Sequence, residues 1–238
     1  MTRVTFEHQI QELRDNAVEM ASMVDKAIAR AIEALQTQDV GLAKQVRKDD
    51  KIINAARWTG EERALTLIAT QGPMAGDLRM IAAALQIYTD LERMADHAAG
   101  IAKIVIDTSD EALLKPLVDI PRMSLIAREM LENAITAFVD QDDEIARRVA
   151  TRDDEVDVLH EQVVRDLMTS MMADPDTIHR ATHLLWASHN IERIADRVTN
   201  ICERVVFAVT GEIVELGGGR KKRQKARKLA ESASGVSG

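Results

Sequence analysis

Four pairs of oxygen-bearing side chains stand one helical turn apart in this sequence. Glu92 and Asp96 form one pair and Glu192 and Asp196 another, each within the pattern E-R-x-x-D. Asp50 with Asn54, and Asp153 with Asp157, repeat the same i, i+4 spacing. On a helix such positions share a face about 5–6 Å apart, where two like charges cost a few tenths of a kcal/mol. Repeating that cost brings no stability, whereas carboxylate and amide oxygens at this spacing suit a hard or borderline cation. The competing reading is a solvated acidic face in a chain with 39 acidic residues. Recurrence on two helices in each of two places favours the cation.

Other candidates for chemistry are weaker. The six histidines are His8, His97, His160, His179, His183 and His189. Asp157 and His160 have the spacing of half a di-iron motif, but such a centre needs E-x-x-H on facing helices, and no E-x-x-H occurs. A phosphotransfer role for His97 or His189 competes poorly with an ordinary place on a helix surface. Cys202, the one cysteine, falls on an apolar stripe and reads as a core thiol. A glycine-rich phosphate loop, a nucleophile elbow and a catalytic triad spacing are all missing.

The elements that must position the acids are helices. Aromatic residues are 3% of the chain, and the only prolines are Pro73, Pro116, Pro121 and Pro175. Ala, Leu, Met, Ile, Glu, Arg and Lys fill the stretches between rare breaks, which favours an all-α fold. Apolar residues recur at helical spacing and predict six long helices. The first runs from about Val4 to Gln38. Asp39 caps a second, reaching Thr70. A third covers Pro73 to Asp107, beyond the Gly72-Pro73 break. Thr108–Asp119 reads as a linker. The fourth covers Ile120–Asp140, the fifth starts from an Asp142 cap and ends near Ala173, and the sixth runs from Asp174-Pro175 to Thr210.

The two halves repeat one another. Ala31–Asn54 aligns with Ala134–Asp157 at an offset of 103, and Leu91–Asp96 (LERMAD) with Ile191–Asp196 (IERIAD) at an offset of 100. The change of offset falls at the Gly72-Pro73 and Asp174-Pro175 turns, where deletions are cheap. Two tandem three-helix bundles related by a pseudo-twofold follow, spanning 1–108 and 118–212. Advancing 100° per residue, Ile81, Ala84, Tyr88, Leu91, Ala95, Ala98, Ala102 and Val105 form the buried stripe of the third helix. Glu92 lies on its shoulder and Asp96 further towards solvent. Leu42, Val46, Ile53 and Ala64 form the stripe of the second helix, with Asp50 and Asn54 on a similar shoulder. The expected site is a groove or surface between helices, outside a sealed core.

Charge is unevenly spread. Of 31 basic and 39 acidic residues, seven and one fall after position 219. Residues 1–219 therefore carry 24 and 38, a net of −14. An acidic body argues against nucleic acid and suits cations or basic partner surfaces. The tail at 217–238 (GGGRKKRQKARKLAESASGVSG) reads as a disordered basic segment. Any membrane contact is expected only through partners or this tail, at ~1 kcal/mol per base near anionic lipid. One cysteine, no bilayer-length apolar run and no signal-peptide h-region point to the cytoplasm.

The residues Leu91-Glu92-Arg93-Met94-Ala95-Asp96-His97-Ala98 and Asn190-Ile191-Glu192-Arg193-Ile194-Ala195-Asp196-Arg197 resemble the two signatures of the PhoU family, the regulators of phosphate-specific transport. His183-Leu184-Leu185-Trp186 and Ala75-Gly76-Asp77-Leu78-Arg79 fit the same pattern, and the resemblance covers about residues 1–212. It implies two three-helix bundles bearing multinuclear metal clusters, often iron, with zinc, manganese or magnesium as alternatives. The ligands carried over are Asp50, Asn54, Glu92 and Asp96 for the first cluster, and Asp153, Asp157, Glu192 and Asp196 for the second. Asn54 departs from a second carboxylate, and Arg197 stands where the first signature has His97, which places a cation beside the second cluster. The implied role is a non-enzymatic adaptor between the phosphate ABC transporter's ATPase subunit and a phosphate sensor histidine kinase, negative at high phosphate, and a homodimer. The alternatives are a metal-dependent phosphoester hydrolase, for which a dedicated base is lacking, and a metal-free helical scaffold.

Overall fold

A computed structural model describes residues 3–217. The basic tail beyond Gly217 lies outside the described residues. Among the described residues seven α-helices form six rods: α1 (Arg3–Thr37), α2 (Val40–Gln71), α3 (Ala75–Asp107), α4 (Asp119–Asp140), α5 (Asp143–Ala150), α6 (Asp153–Ala173) and α7 (Ile178–Thr210). Among the described residues there is no strand, and no helix is long and apolar enough to cross a membrane.

The expected six rods are present, and the fifth is interrupted. At its break Thr151 and Arg152 donate their amides to Arg148 and Val149, three residues back rather than four. The Thr151 hydroxyl also takes the Arg148 carbonyl, at 2.7 Å. A Thr side chain competing for a backbone acceptor loosens a helix at that point. At the repeat-equivalent position, Lys48, α2 runs through unbroken. The break has a consequence for the acids, because Asp153 now lies in the first turn of α6. There the helix dipole favours a negative charge, whereas Asp50 sits in mid-helix. At the start of α7, Asp174 caps a 3-10 turn, Pro175–Thr177, which feeds the helix.

The turn between the first two rods is built the same way in both repeats. Gln38 and Gln141 adopt left-handed backbones, with φ of 54° and 56°. The next residue in each case bonds back to the carbonyl five before it, Asp39 to Ala34 and Asp142 to Ala137. That is the Schellman geometry that closes a helix C-terminus. The same aspartates then cap the following helix, accepting from Leu42 N and Ile145 N at 2.9 Å each. One short sequence thus ends one rod and begins the next.

α1, α2 and α3 pack as one bundle, and α4, α5–α6 and α7 as the second. Between bundles α3 packs on α7, and α1 on α4. Each contact joins repeat-equivalent elements, which places α1, α3, α4 and α7 beside the pseudo-twofold axis. One side-chain pair also joins equivalent positions. Asp25 and Arg128 differ by the repeat offset of 103 and meet across α1–α4, with Arg128 Nε and Nη2 donating to the carboxylate at 2.6 and 2.9 Å. All eight residues of the α3 stripe are buried, and α7 buries Leu184, Ser188, Ile191, Ala195, Val198, Cys202 and Val205. The two helices are the common wall of one continuous core. α2 approaches α3 closely because Gly60 faces Tyr88; a Cβ there would come within 2.7 Å of the ring.

Candidate functional site

The shoulders of α2 and α3 do face each other. Asp96 raises the pKa of Asp50 on the opposite helix as well as that of Glu92 on its own. Burial is the larger cause in both cases, and it holds both carboxyls above the ordinary carboxylate range. Glu92 is only 6% exposed, while Asp96 stands out in solvent. Asp50, Glu92 and Asp96 therefore make one acidic shelf with a buried floor and an exposed rim. The floor lies deeper than the surface groove expected from helical phase. Asn54 faces the same way, but its amide donates to the Asp50 carbonyl at 3.3 Å.

The second shelf is deeper still. Asp153, Asp157 and Glu192 are all buried, at 4–6% exposure, and Asp196 is half-buried. His160 on α6 and His189 on α7 lie 6.2 Å apart, ring to ring. This brings the α6 face carrying Asp157 and His160 against the α7 face carrying His189 and Glu192. His189 Nδ1 is 3.3 Å from Glu192 Oε2, and His160 Nδ1 is 2.8 Å from the Ser188 hydroxyl.

Each shelf already carries a cation of its own. Arg93 places Nη1 3.1 Å from Asp96 Oδ2 and Nε 3.5 Å from Glu92 Oε2. Arg193 does the same to Asp196 and Glu192, at 3.1 and 3.5 Å. The arginine of E-R-x-x-D thus bridges the two acids of the motif in both repeats. This answers part of the charge repulsion on which the expectation of a metal was built. In the first shelf Arg57 adds a third contact, with Nη1 3.6 Å from Glu92 Oε1.

The donor chemistry suits a hard cation, and the polar groups are not fully matched. Asp50 Oδ1 and Glu92 Oε2 are buried without a hydrogen bond, an arrangement that costs free energy unless a counter-charge is near. Yet among the described residues no three His, Cys, Asp or Glu side chains are set around one point as a metal ion would need them. A cation entering either shelf would have to draw the carboxylates off their arginine.

Sequence reasoning missed three features here. The first is the bridging role of Arg93 and Arg193, visible only once side chains are placed. The second is the pair His160 and His189, whose repeat equivalents are Arg57 and Thr89; aligning the halves further would have exposed this asymmetry. The third concerns Arg197. It leaves the second shelf and pairs with Asp90 across the repeats at 3.3 Å, where Asn200 also donates to Asp90 at 3.3 Å. The charge expected beside the second cluster is spent on the buried Asp90, which burial pushes above its ordinary pKa. The pseudo-twofold mate of this contact is His97 with Asn190, at 3.0 Å.

The model of the PhoU domain matches this chain twice, over residues 17–105 and 120–205. The chain belongs to the PhoU family. Among PhoU relatives, a phosphate-specific transport system accessory protein homolog of Aquifex aeolicus is 41% identical over 207 residues, covering 87% of this chain and 94% of that protein. The homolog of Clostridium acetobutylicum is 36% identical over 217 residues, 91% of this chain and 99% of that one. The crystal structure of PhoU from Pseudomonas aeruginosa superposes with a TM-score of 0.83 at 33% identity, covering 87% of this chain and all of that one. The phosphate transport system regulatory protein PhoU from Streptococcus pneumoniae gives 0.82 at 29%, over 89% of this chain and all of that one. Both signatures identified in the sequence fall inside the matched stretches.

Proposed function

We propose that this protein is an accessory regulator of phosphate transport. It couples the phosphate ABC transporter, through its ATPase subunit, to a sensor histidine kinase and restrains the kinase when phosphate is plentiful. The observation that carries the reading is the double PhoU repeat, with one acidic shelf built on equivalent helices of each half. Relatives aligned over more than 85% of this chain are named as accessory proteins of that transport system, which supports a regulatory role without catalysis. Long rods with charged shoulders offer docking faces, and coupling needs only that one partner bind two states of the other unequally. The protein acts in the cytoplasm as a homodimer. Deleting the gene should leave phosphate-starvation genes switched on in phosphate-rich medium; normal repression would overturn the proposal.

The shelves bind metal in this reading. Asp50, Asn54, Glu92 and Asp96 would hold the first cluster, and Asp153, Asp157, Glu192 and Asp196 the second, with iron the first expectation. The metal would supply positive charge to the shelves and a position where an anion such as phosphate could bridge. Elemental analysis of the purified protein beside Asp96→Ala/Asp196→Ala tests this. Equal metal content in both would place the metal elsewhere, and none in either would leave the shelves to their arginines.

A further inference from the structure

A separate cluster lies where the two repeats are joined, formed by residues of neither shelf. His179 and His183 stand one turn apart near the start of α7. Their Nε2 atoms are 3.3 Å apart, with the rings close to perpendicular at 78°. Two imidazole nitrogens bound to one metal at about 2.0–2.1 Å in tetrahedral geometry stand roughly 3.3 Å apart. The pair is therefore at chelating distance as it stands. Two histidines at i, i+4 on one helix face are the spacing that helical zinc motifs use.

The surroundings fix which nitrogens are offered. His179 Nδ1 lies 3.1 Å from Glu111 Oε1, in the linker between the repeats. A carboxylate there holds the proton on Nδ1 and leaves the Nε2 lone pair for a ligand, the arrangement that orients metal-binding histidines. His183 Nδ1 is buried without a hydrogen bond, so Nε2 is the nitrogen through which it can reach an incoming ion. Glu111 is itself anchored, because its carbonyl accepts from Gln38 Nε2 at 2.6 Å. Gln38 is the left-handed residue of the α1–α2 turn. One line of contacts thus runs from α7 through the linker to the turn between the first two rods.

We infer that His179 and His183 form a two-imidazole chelate for a borderline divalent cation such as Cu²⁺, Ni²⁺ or Zn²⁺, with Glu111 as its positioning residue. The pair supplies two ligands and solvent completes the coordination, since no third His, Cys, Asp or Glu is set around the same point among the described residues. Imidazole prefers these metals, whereas an all-oxygen set favours harder ions, so the junction differs in preference from the first shelf. A bound ion would tie the start of α7 to the linker. This inference does not depend on metal at the shelves.

Trp186 reads the site directly, with its ring 6.1 Å from His183. The sequence has two tryptophans, so Trp58→Phe leaves Trp186 as the sole reporter. Cu²⁺ or Ni²⁺ alone is titrated into the untagged full chain carrying that substitution, in a buffer that does not chelate. The expected result is saturable quenching at one equivalent, reversed by EDTA. It is lost in His179→Ala and in His183→Ala, weakened about tenfold in Glu111→Gln, and kept in Asp96→Ala/Asp196→Ala. Retention in that last variant separates this site from the shelves. His179 is two-thirds exposed on a helix surface, so its removal leaves the fold intact. Quenching that is absent, or that survives both histidine substitutions, overturns the inference and reduces the pair to a hydrogen bond.

Discussion

Removing the shelf arginines should strengthen metal binding while weakening the metal-free protein. Arg93 and Arg193 each make two ion contacts within their own motif, at 3.1 and 3.5 Å. About half of each arginine side chain is solvent-exposed, so surface values apply, ~0.2–1 kcal/mol per pair. Two pairs give ~0.4–2 kcal/mol for each shelf. A metal that must displace the guanidinium gives up that amount, which corresponds to roughly 2- to 30-fold in Kd. Arg93→Ala/Arg193→Ala should therefore lower the melting temperature without metal and raise affinity for Mn²⁺ within that range. Calorimetric titration of untagged, chelator-stripped protein at 0.1 M salt measures it. The gain should be smaller in the first shelf, where Arg57 remains 3.6 Å from Glu92. Unchanged affinity would show that the arginines do not compete with metal. A fall in affinity would show that they hold the carboxylates in ligating positions, which reverses the reasoning.

Three further outcomes follow from the geometry. Burial and Asp96 raise the folded pKa of Glu92, so the native state takes up this proton before the unfolded chain does. Its ionised form therefore destabilises the fold at neutral pH, and that cost disappears as pH falls through the folded pKa. Glu92→Gln should raise the melting temperature at pH 7.5, with the gain shrinking towards pH 4.5, the group's ordinary value; a lower melting temperature at pH 7.5 would mean that the contacts with Arg57 and Arg93 dominate. Asp25→Arg alone should cost ~1 kcal/mol, and Asp25→Arg/Arg128→Asp should recover most of it, because the two positions are twofold equivalents; urea melts of wild type, Asp25→Arg, Arg128→Asp and the double variant give the coupling, and an absence of recovery would argue against the symmetry. Cys202 is buried, and burial pushes its thiol up to about 12, so Ellman's reagent at pH 8 should react only after unfolding; fast reaction of the native protein would contradict the packing of α7.

Helical phase was legible in the sequence because it is a local property. At 100° per residue, the apolar stripe of α3 falls on residues that are all buried, and Glu92 and Asp96 fall at its edge in the order found. The repeat was legible for the same reason, since the caps Asp39 and Asp142 are written in the chain and bond as their residue type requires. Less could be read of the charges. Phase placed Glu92 on a shoulder, but α2 packs on α3 and sets Arg57 3.6 Å from Glu92, which is buried. The sequence shows Arg93 between two acids; only a side chain laid along its own helix, with Nη1 on Asp96 and Nε towards Glu92, makes it their bridge. Arg197 looked like a neighbour of the second acids, and the α3–α7 contact gave it Asp90 instead.

The sequence by itself settled the all-helical class, the two repeats, the turn that joins their first two rods and the residues on each helix shoulder. Those depend on backbone propensity, capping and periodicity within one element. The tertiary structure decided how deep each carboxylate lies, which arginine answers it, and that His179 meets Glu111 from the linker. Such properties belong to pairs of elements: the free energy of a charge depends on what faces it across the gap between helices, and that gap is not written along either one.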